Sequence, residues 1–423
     1  MPLITKAPRG TEDKLPADIY KWHTVEKIAK AVAESYGCKE IRTPTFEHTE
    51  LFQRGIGGTT DVVQKEMYTF EDKKGRSITL KPEGTAGAAR AAIEHGLTAQ
   101  ALPLKLFYFT SCFRYEAPQS GRLREHRQFG VEFYGANKPL ADAEVISLAN
   151  DVFARLGLKG LALELNSIGC PDCRIEYKNE LIDFYKKQKL CPLCSERLER
   201  NPLRLLDCKN DDCREINKNA PFITKYLCGH CETHFEAVKS ALCELEINFT
   251  ENPRLVRGLD YYTNTVFEFK SQSLGAQDTV CAGGRYDGLI EELGGSRVSG
   301  MGFGMGLERL ILVMQSQGLE FEPAKGCDLY IAALDEKAEA VGMRLVKELR
   351  EQGFWAETDL AGRGLGAQMK YADKLGARFS MVLGSNETES GKAVIKNMQS
   401  GEKLEVSFKD NFAEKVNTLI LGL

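Results

Sequence analysis

The chain has 423 residues, a formal net charge of −4, 43% hydrophobic residues and 27% charged residues. This length is sufficient for two or three domains with their own cores, and the composition is ordinary for a globular protein. The sequence contains no run of about 18 apolar residues, and its N-terminus lacks a basic-then-apolar secretory signal. We therefore expect a cytoplasmic protein with no membrane segment. The net charge gives no indication of nucleic-acid binding but leaves room for a local stripe of Lys and Arg.

The first 170 residues predict a helix followed by antiparallel strands. Apolar residues recur at helical spacing in 18–36, and Gly37 follows at the position of a C-terminal cap. Alternating apolar and polar residues, rich in Phe, Tyr and Thr, then predict extended segments. These segments are 40–52, 77–84, 104–116 and 127–135. A second helix is predicted over 140–156.

The composition changes after residue 169. The stretch 170–240 is rich in Cys, Lys and Glu and indicates a small inserted domain. Strand character returns at 254–269 and 279–283, before the glycine-rich segment 301–314. From about residue 326, strands alternate with helices predicted at 336–351 and 364–375, and a hairpin and a short helix follow. Such alternation indicates a parallel or mixed sheet.

Eight of the 13 cysteines lie between residues 170 and 231, and six of these form C-x-x-C pairs. Disulfides are rare in a reducing compartment, so the clustering favours a metal. With Zn–S bonds of about 2.3 Å, the cysteines suffice for two tetrahedral Cys₄ zinc sites or for one site with spare cysteines, and His230 or His234 could replace a ligand. The expected zinc is structural, because a small insertion gains stability from a metal. The candidate ligands are Cys170, Cys173, Cys191, Cys194, Cys208, Cys213, Cys228 and Cys231.

Four polar segments lie on or beside the apolar strands, where polar groups are costly unless they bind a partner. They contain several arginines, carboxylates, tyrosine hydroxyls and glycines. Arginine forks bind phosphate oxygens, and carboxylates bind an ammonium group or Mg²⁺, so this inventory indicates a site for a triphosphate and a small zwitterion. A Walker A motif is absent, which disfavours P-loop chemistry. The segments are 81–87, 113–132, 257–268 together with 282–288, and 302–310.

These segments resemble the motifs of class II aminoacyl-tRNA synthetases. Arg114-x-Glu116, with the loop and the strand that follow, resembles motif 2, and GMGLERL at 304–310 resembles motif 3. The segment 40–57 resembles motif 1, with Pro44 at the position that shapes the dimer interface. RGLDYYTNTVFE at 257–268 and AGGRYDGL at 282–289 resemble the two segments peculiar to the histidyl-tRNA synthetase family. The resemblance covers nearly the whole chain.

The resemblance implies an α+β protein with an antiparallel-sheet catalytic domain, a Cys-rich insertion and a C-terminal α/β anticodon-binding domain. The catalytic domain would comprise 1–169 and 241–322, the insertion 170–240 and the anticodon-binding domain 326–423. The implied activity is that of a histidine–tRNA ligase, which converts L-histidine and ATP to histidyl-adenylate and pyrophosphate. Histidine then passes to the 3′ end of tRNA(His). The implied partners are these substrates and a second copy of the chain, and the implied cofactor is Mg²⁺ with ATP.

Residue roles follow from the resemblance. Arg114 would hold the α-phosphate, and Arg257 would lie beside that phosphate and the substrate carboxylate, where charge develops in the transition state. The α-amino group of histidine would be bound by Glu83, Thr85 and Gln128, and its imidazole by Glu132, Tyr262 and Tyr286. ATP would be bound by Arg114, Glu116, Arg122, His126 and Arg309, with Glu116 as a partner of Mg²⁺. Contacts to tRNA would be made by Arg122, Arg124, Arg363, Lys370 and Lys374.

The chain departs from the family pattern at three positions. Ala117 stands where relatives usually have Arg, and His126 where they place an aromatic ring on adenine. Lys81, where relatives often have Arg, keeps the charge but loses the fork. In addition, Tyr261 and Tyr262 would face opposite sides of an extended segment, which predicts Tyr262 in the site and Tyr261 in the core.

Two other hypotheses belong to different classes. A non-catalytic paralogue, such as the regulatory subunit of ATP phosphoribosyltransferase, would be expected to lose Arg257, the second tyrosine of RGLDYY or the C-terminal domain, and this chain keeps all three. Another class II synthetase, for Thr or Pro, is disfavoured by RGLDYY and AGGRYDG.

Overall fold

The computed structural model describes residues 5–58, 60–206, 208, 210–273 and 278–421. The chain divides into two compact units, Met1–Glu322 and Pro323–Leu423. Each unit has its own buried apolar core. In the described ranges, every helix is too short or too polar to cross a bilayer.

The first unit mixes helices with mostly antiparallel strands. In chain order its elements are α1 Ile19–Ser35, β1 Lys39–Glu40, β2 Phe46–His48, α2 Thr49–Ile56, β3 Tyr68–Glu71, β4 Ser77–Leu80, α3 Thr85–Glu94, β5 Leu104–Phe113, β6 Glu125–Tyr134, α4 Pro139–Arg155, β7 Leu161–Ser167, α5 Pro171–Tyr185, α6 Pro192–Arg200, α7 Asp211–Asn217, α8 Gly229–Glu244, β8 Thr250–Glu251, β9 Thr263–Ser271, β10 Thr279–Arg285, α9 Leu289–Glu292, β11 Gly300–Gly306 and α10 Leu307–Ser316.

The central sheet of this unit has the strand order β1-β5-β6-β11-β10-β9-β7-β8. Its strands pair antiparallel except for the edge pairs β1–β5 and β7–β8, which are parallel. One face is apolar: Phe129, Val131 and Phe133 of β6 join a core that includes residues of α1, α4, α8 and α10. Because strand side chains alternate, the intervening residues of β6 point to the opposite face, which is polar. The predicted α+β architecture is confirmed.

A small sheet, β2-β4-β3, lies outside the central one. The prediction of an extended segment over 40–52 was wrong at its end, because α2 begins at Thr49. Phe52 and Ile56 are fully buried at helical spacing, and Arg54 pairs with Glu50 one turn away. The apolar–polar alternation of the residues before Thr49 predicts a strand, so the start of helical spacing at Thr49 was not recognised.

The segment 170–240 is helical and contains α5, α6, α7 and most of α8. Tyr177, Leu181 and Tyr185 of α5 are buried in a second apolar cluster. The helix α8 continues beyond residue 240, and Phe235, Val238 and Leu242 on it join the core behind the central sheet. One continuous helix therefore connects the cysteine-rich segment to that core.

The second unit alternates strands and helices, as predicted from residue 326 onward. The elements are β12 Leu329–Ala333, α11 Glu336–Glu351, β13 Ala356–Thr358, α12 Leu365–Lys374, β14 Phe379–Leu383, α13 Ser385–Ser390, β15 Lys392–Asn397, β16 Lys403–Ser407 and α14 Phe412–Leu421. Its sheet has the order β13-β12-β14-β15-β16, with β12 parallel to β13 and β14, and the last three strands antiparallel. The helix α13 was not predicted, because it has six residues and none is buried.

Candidate active site

Glycines of β11 make room on the polar face of the central sheet. Gly302 lies opposite Glu132 of β6, and a Cβ placed on Gly302 would overlap the Glu132 Oε2 atom. A Cβ on Gly304 would overlap the Gln128 amide in the same way, and one on Gly300 would overlap the Tyr286 ring. The glycines therefore allow long polar side chains from neighbouring strands to lie across β11.

Glu132 is buried on this face with two tyrosine hydroxyls. Tyr108 Oη donates a hydrogen bond to Glu132 Oε1 at 2.8 Å, and Tyr286 Oη donates to Oε2. Burial, with a smaller contribution from Glu83, raises the pKa of Glu132 to about 8, although hydrogen bonds from the tyrosines and Thr85 oppose this shift. The site thus contains a carboxyl group that is easily protonated and faces aromatic side chains.

Three tyrosine rings form one wall beside Glu132. The ring of Tyr261 lies 4.6 Å from that of Tyr262 and 5.5 Å from that of Tyr286, and the last two rings are 6.3 Å apart. The prediction that Tyr261 and Tyr262 face opposite sides was wrong, because β9 begins only at Thr263. The tyrosines lie in an irregular loop, where the alternation of strands does not apply.

Glu83, Thr85 and Gln128 meet at the beginning of α3. The Glu83 carboxylate accepts hydrogen bonds from the backbone N–H groups of Thr85 at 2.7 Å and Ala86 at 2.8 Å. Burial raises the pKa of Glu83. Gln128 Oε1 accepts from the backbone N–H of Gly84 at 3.2 Å. The structure therefore brings together the three residues predicted for the α-amino group.

Arg257 pairs with Glu268 on β9, and its guanidinium lies 5.8 Å from the centre of the Tyr262 ring. Burial lowers the pKa of Arg257, but Glu268 and the two adjacent tyrosines outweigh burial and raise the pKa above its usual value. Glu268 also accepts a hydrogen bond from Thr279 Oγ1 at 3.0 Å. A fixed positive charge therefore lies next to the tyrosine wall.

A second group of cations surrounds His126. Burial lowers the pKa of His126 to about 3, and the guanidinium groups of Arg114, Arg309 and Arg122 lower it further. Burial, Arg122 and Arg114 also lower the pKa of Arg309. The imidazole is therefore neutral, and the three guanidinium groups are close enough to repel one another. Such a cluster favours a polyvalent anion.

Backbone oxygens and one carboxylate hold these arginines in place. Arg114 Nε donates to Pro82 O at 2.8 Å, and Arg309 Nε donates to Gly121 O at 3.0 Å. Glu116 pairs with Arg122 and lies 4.0 Å from Arg114. The loop between β5 and β6 thus contributes both cations and a carboxylate to the anion site.

Other predicted residues occupy different surroundings. Arg124 packs on the Tyr115 ring at 3.8 Å and donates to Glu116 O. Lys81 donates to the Thr43 carbonyl and hydroxyl at 3.2 Å, and burial lowers its pKa. The Lys81 ammonium group is therefore bound within the fold.

Tyr108 and Glu268 belong to the site, although the sequence motifs predicted no role for either residue. Tyr108 lies in the apolar run of β5, but Thr110 and Cys112 share its face of the strand. That polar alternation is the signal that places Tyr108 on the site side. Glu268 ends the RGLDYYTNTVFE segment, where its pairing with Arg257 depends on the fold.

In the second unit, Lys370 and Lys374 lie one turn apart and are exposed on α12. Arg363 differs, because it pairs with Asp359 at 2.7 Å and packs over the Tyr371 ring at 4.3 Å. The two lysines therefore offer exposed charge, whereas the guanidinium of Arg363 is held by neighbouring residues.

The eight cysteines of 170–240 form two groups of four. In each group the Sγ atoms all lie within 4.8 Å of one another, and the groups are Cys170, Cys173, Cys228 and Cys231, and Cys191, Cys194, Cys208 and Cys213. His234 is not placed as a ligand, because its Nε2 atom lies 2.8 Å from Asp142 Oδ2. His230 is exposed and outside both groups. Thiolates in this arrangement suit a tetrahedral metal ion.

Comparisons with known proteins identify the family of the chain. The family model described as histidyl-tRNA synthetase matches residues 10–174 and 195–310, and an anticodon-binding-domain model matches residues 328–419. A histidine–tRNA ligase from Acetivibrio thermocellus is 54% identical over 407 residues, which cover 96% of this chain and 98% of that protein.

Solved structures show the same fold. The chain matches apo histidyl-tRNA synthetase of Staphylococcus aureus with a TM-score of 0.82 and 38% identity, covering 99% of both chains. An ATP phosphoribosyltransferase regulatory subunit/histidyl-tRNA synthetase from Bacillus halodurans matches with a TM-score of 0.64 and 22% identity, covering 88% of this chain and 97% of that one, which supports the fold alone. On the family model and the 54% identity, the chain belongs to the histidyl-tRNA synthetase family.

Proposed function

We propose that this chain is a histidine–tRNA ligase that activates L-histidine with ATP and transfers it to tRNA(His). The observation that carries this proposal is the position of a buried carboxyl and three tyrosines next to Arg257 and to a cluster of three arginines, all on one sheet face. The buried carboxyl and the tyrosines suit an aromatic ligand side chain that forms hydrogen bonds, and the arginines suit phosphates.

The histidine pocket lies over the β11 glycines. Glu132, Tyr262 and Tyr286 surround the imidazole, whose ring nitrogens need polar partners, while Glu83, Thr85 and Gln128 bind the α-amino group. Polar groups that hydrogen-bond a substrate reject analogues lacking its donors by about 10⁴–10⁵, because those analogues leave them unpaired. This selectivity makes a separate editing site unnecessary.

ATP lies against Arg114, Arg122 and Arg309. Arg114 binds the α-phosphate and Arg309 the γ-phosphate end, while the neutral His126 ring stacks on adenine. Mg²⁺ bound with ATP neutralises phosphate charge, and Glu116 supplies an oxygen of the type this ion prefers.

Arg257 and Arg114 act in the first reaction. The histidine carboxylate attacks the α-phosphorus, pyrophosphate leaves, and negative charge increases on the phosphate oxygens. A guanidinium fixed by Glu268 stabilises that charge without reorganising. In the second reaction, a ribose hydroxyl of the terminal adenosine attacks the adenylate, and AMP leaves.

We propose the following roles for the segments of the chain. Residues 1–169 and 241–322 catalyse, 170–240 form the insertion, which holds structural Zn²⁺, and 326–423 bind the anticodon region through Lys370, Lys374 and Arg363. Arg122 and Arg124 contact the acceptor end. The enzyme acts in the cytoplasm as a homodimer, and the exposed Phe46 and Phe70 of the small sheet support a partner surface near motif 1.

The first experiment is ATP–pyrophosphate exchange with each of the 20 amino acids, with Mg²⁺ and without tRNA. Exchange is expected with histidine alone. In the same assay, Arg257→Ala should slow exchange by about 10²-fold or more while histidine binding stays largely intact, because the lost contact stabilises the transition state. The exposed Arg297 provides the control, Arg297→Ala.

Near-normal exchange by Arg257→Ala would refute the role given to this arginine. Folded wild-type protein that exchanges with no amino acid would instead favour the regulatory paralogue.

A further inference from the structure

The two cysteine groups lie beside the loop 256–262, which carries Arg257, Tyr261 and Tyr262. We infer that each group binds one Zn²⁺ and that the two ions hold this loop in its binding position, so that metal occupancy sets the affinity for histidine. The second half of the inference rests on the proposed function, in which the loop lines the histidine pocket. The group of Cys170, Cys173, Cys228 and Cys231 is named cluster A, and the group of Cys191, Cys194, Cys208 and Cys213 is named cluster B.

The distances between sulfur atoms fit tetrahedral zinc. Four sulfurs bound at about 2.3 Å around one ion are separated by about 3.8 Å. The Sγ atoms of Cys170 and Cys173 are 3.5 Å apart in cluster A, and those of Cys191 and Cys208 are 3.9 Å apart in cluster B. All eight cysteines are free of disulfides.

Three of the candidate ligands lie at helix N-termini. Cys170, Cys191 and Cys228 are the N-cap residues of α5, α6 and α8, and each has its C-x-x-C partner in the first turn. The positive end of a helix dipole stabilises a negative charge at this position. In addition, the backbone N–H of Cys228 donates to Cys173 Sγ at 3.1 Å, a contact that orients a metal ligand.

The loop 256–262 depends on other segments for its position, because it precedes β9 and belongs to no strand. Its Asp260 N–H donates to Ile56 O at 3.1 Å. The carbonyl oxygens of Gly258 and Tyr262 accept hydrogen bonds from Arg204 and Arg174, and both arginines belong to the insertion.

Cluster A holds the end of the loop. Arg174 follows Cys173 directly, and its Nη1 atom donates to Tyr262 O at 3.0 Å. Asn264, two residues after Tyr262, places its Oδ1 atom 3.1 Å from Cys231 Sγ. The backbone N–H of Asn264 donates to Gly169 O, next to Cys170. Displacement of the cluster therefore displaces the residues that flank Tyr262.

Cluster B holds the beginning of the loop. Residues 201–205 lie between Cys194 and Cys208, and Asn201 Nδ2 donates to Asp260 Oδ1 at 2.9 Å. Arg204 donates to Gly258 O and lies 3.7 Å from the same carboxylate oxygen. An ion in cluster B fixes both ends of this short segment, and the segment fixes the backbone between Arg257 and Tyr261.

The metal half of the inference is tested by elemental analysis of the full chain purified without chelators. Two zinc ions per chain are expected, and Cys194→Ser should retain one. Cys243→Ser is the matched control and should retain two, because Cys243 is exposed on α8 outside both clusters. Fewer than two zinc ions per wild-type chain, or another metal in their place, would overturn the inference.

The coupling half is tested with Asn201→Ala, which removes no metal ligand and no charge. We expect two zinc ions, an unchanged KM for ATP and a KM for histidine raised on the order of tenfold, since a small displacement of a binding group has effects of at least this size. The exposed Asn219 supplies the control Asn219→Ala. An unchanged histidine KM would overturn the coupling. Wild-type exchange with histidine tests the proposed function separately, because it persists if the inference alone fails.

Discussion

Glu132 shows how a single residue in the site is affected by its surroundings. Its carboxyl is fully buried, and burial and Glu83 raise its pKa to about 8. Tyr108 and Tyr286 donate hydrogen bonds that partly offset this shift. A ligand that donates a ring N–H to Glu132 would favour the ionised carboxylate, so binding of such a ligand would be coupled to release of a proton.

The raised pKa predicts how Glu132→Gln changes stability with pH. Between about pH 4.5 and pH 8 the folded carboxyl holds a proton that the unfolded chain has released, so wild-type stability falls as pH rises through this window. Gln cannot ionise, so the variant does not lose stability in this way as pH rises. The melting temperature of Glu132→Gln should therefore rise relative to wild type from pH 5 to pH 8.

Thermal unfolding at pH 5, 6, 7 and 8 measures this difference. The exposed Glu291 on α9 gives the control Glu291→Gln, whose difference from wild type should stay constant. A constant difference for Glu132→Gln as well would contradict the assigned pKa.

The sequence was informative where side chains belong to a motif and less so where a contact crosses strands. The roles proposed for Glu132 and Tyr286 rest on quoted motifs, and the structure brings the two residues into contact. Tyr108 escaped prediction because its hydrogen bond to Glu132 depends on the β5–β6 register. The prediction for Tyr261 was wrong because Tyr261 and Tyr262 precede β9, and the alternation of side chains holds only within a strand.

At the scale of elements, one buried carboxylate connects four of them. Asp142 of α4 accepts hydrogen bonds from Thr265 of β9 at 2.6 Å and from Arg285 of β10, and it lies 2.8 Å from His234 of α8. Burial raises the pKa of Asp142, but His234 and Arg285 outweigh burial and lower the pKa below its usual value. The network joins the helix behind the sheet to the strand that ends next to Tyr286.

Asp142→Asn should destabilise the first unit by roughly 3–5 kcal/mol, because it removes the fully buried negative partner of the Arg285 guanidinium and leaves only the partly exposed Asp287. Denaturant unfolding followed by tryptophan fluorescence reports this loss, since Trp22 belongs to the core of the unit. Glu50→Gln, which breaks the exposed pair with Arg54, is the control and should cost less than about 1 kcal/mol. Equal effects of the two substitutions would show that the network contributes little.

Elements with strong local periodicity were predicted well, and those that depend on distant partners were not. The helix predicted over 336–351 has the bounds Glu336–Glu351, and it begins there because the Asp335 carboxylate accepts a hydrogen bond from the backbone N–H of Ala338. The strand predicted over 254–269 begins only at Thr263, because the preceding residues pair with the insertion rather than with a strand. The grouping of the cysteines likewise required the fold.

At the scale of the whole molecule, charge is local rather than global. The chain has a net charge of −4, yet three arginines surround His126 in the first unit and two exposed lysines lie on α12 of the second. Substrates with many phosphates can therefore bind an acidic protein at separate basic patches.

The double variant Lys370→Glu/Lys374→Glu should lower kcat/KM for tRNA aminoacylation by about tenfold or more, because two phosphate contacts become repulsive. ATP–pyrophosphate exchange without tRNA should stay unchanged. Lys337→Glu/Lys347→Glu on α11 makes the same change of charge elsewhere on the unit and serves as the control. If both double variants lose aminoacylation equally, the effect is one of net charge and not of α12.

The helix α8 has a consequence for how such proteins change over evolution and in engineering. Cys228 caps its N-terminus and Cys231 lies in its first turn, His234 in its middle lies against Asp142, and its last turns pack into the sheet core. The insertion therefore cannot be deleted or exchanged together with its last helix, because that helix also supplies residues of the sheet core. Any graft, deletion or split of the gene has to keep Gly229–Glu244 whole, and natural variation in length is expected between α5 and α8.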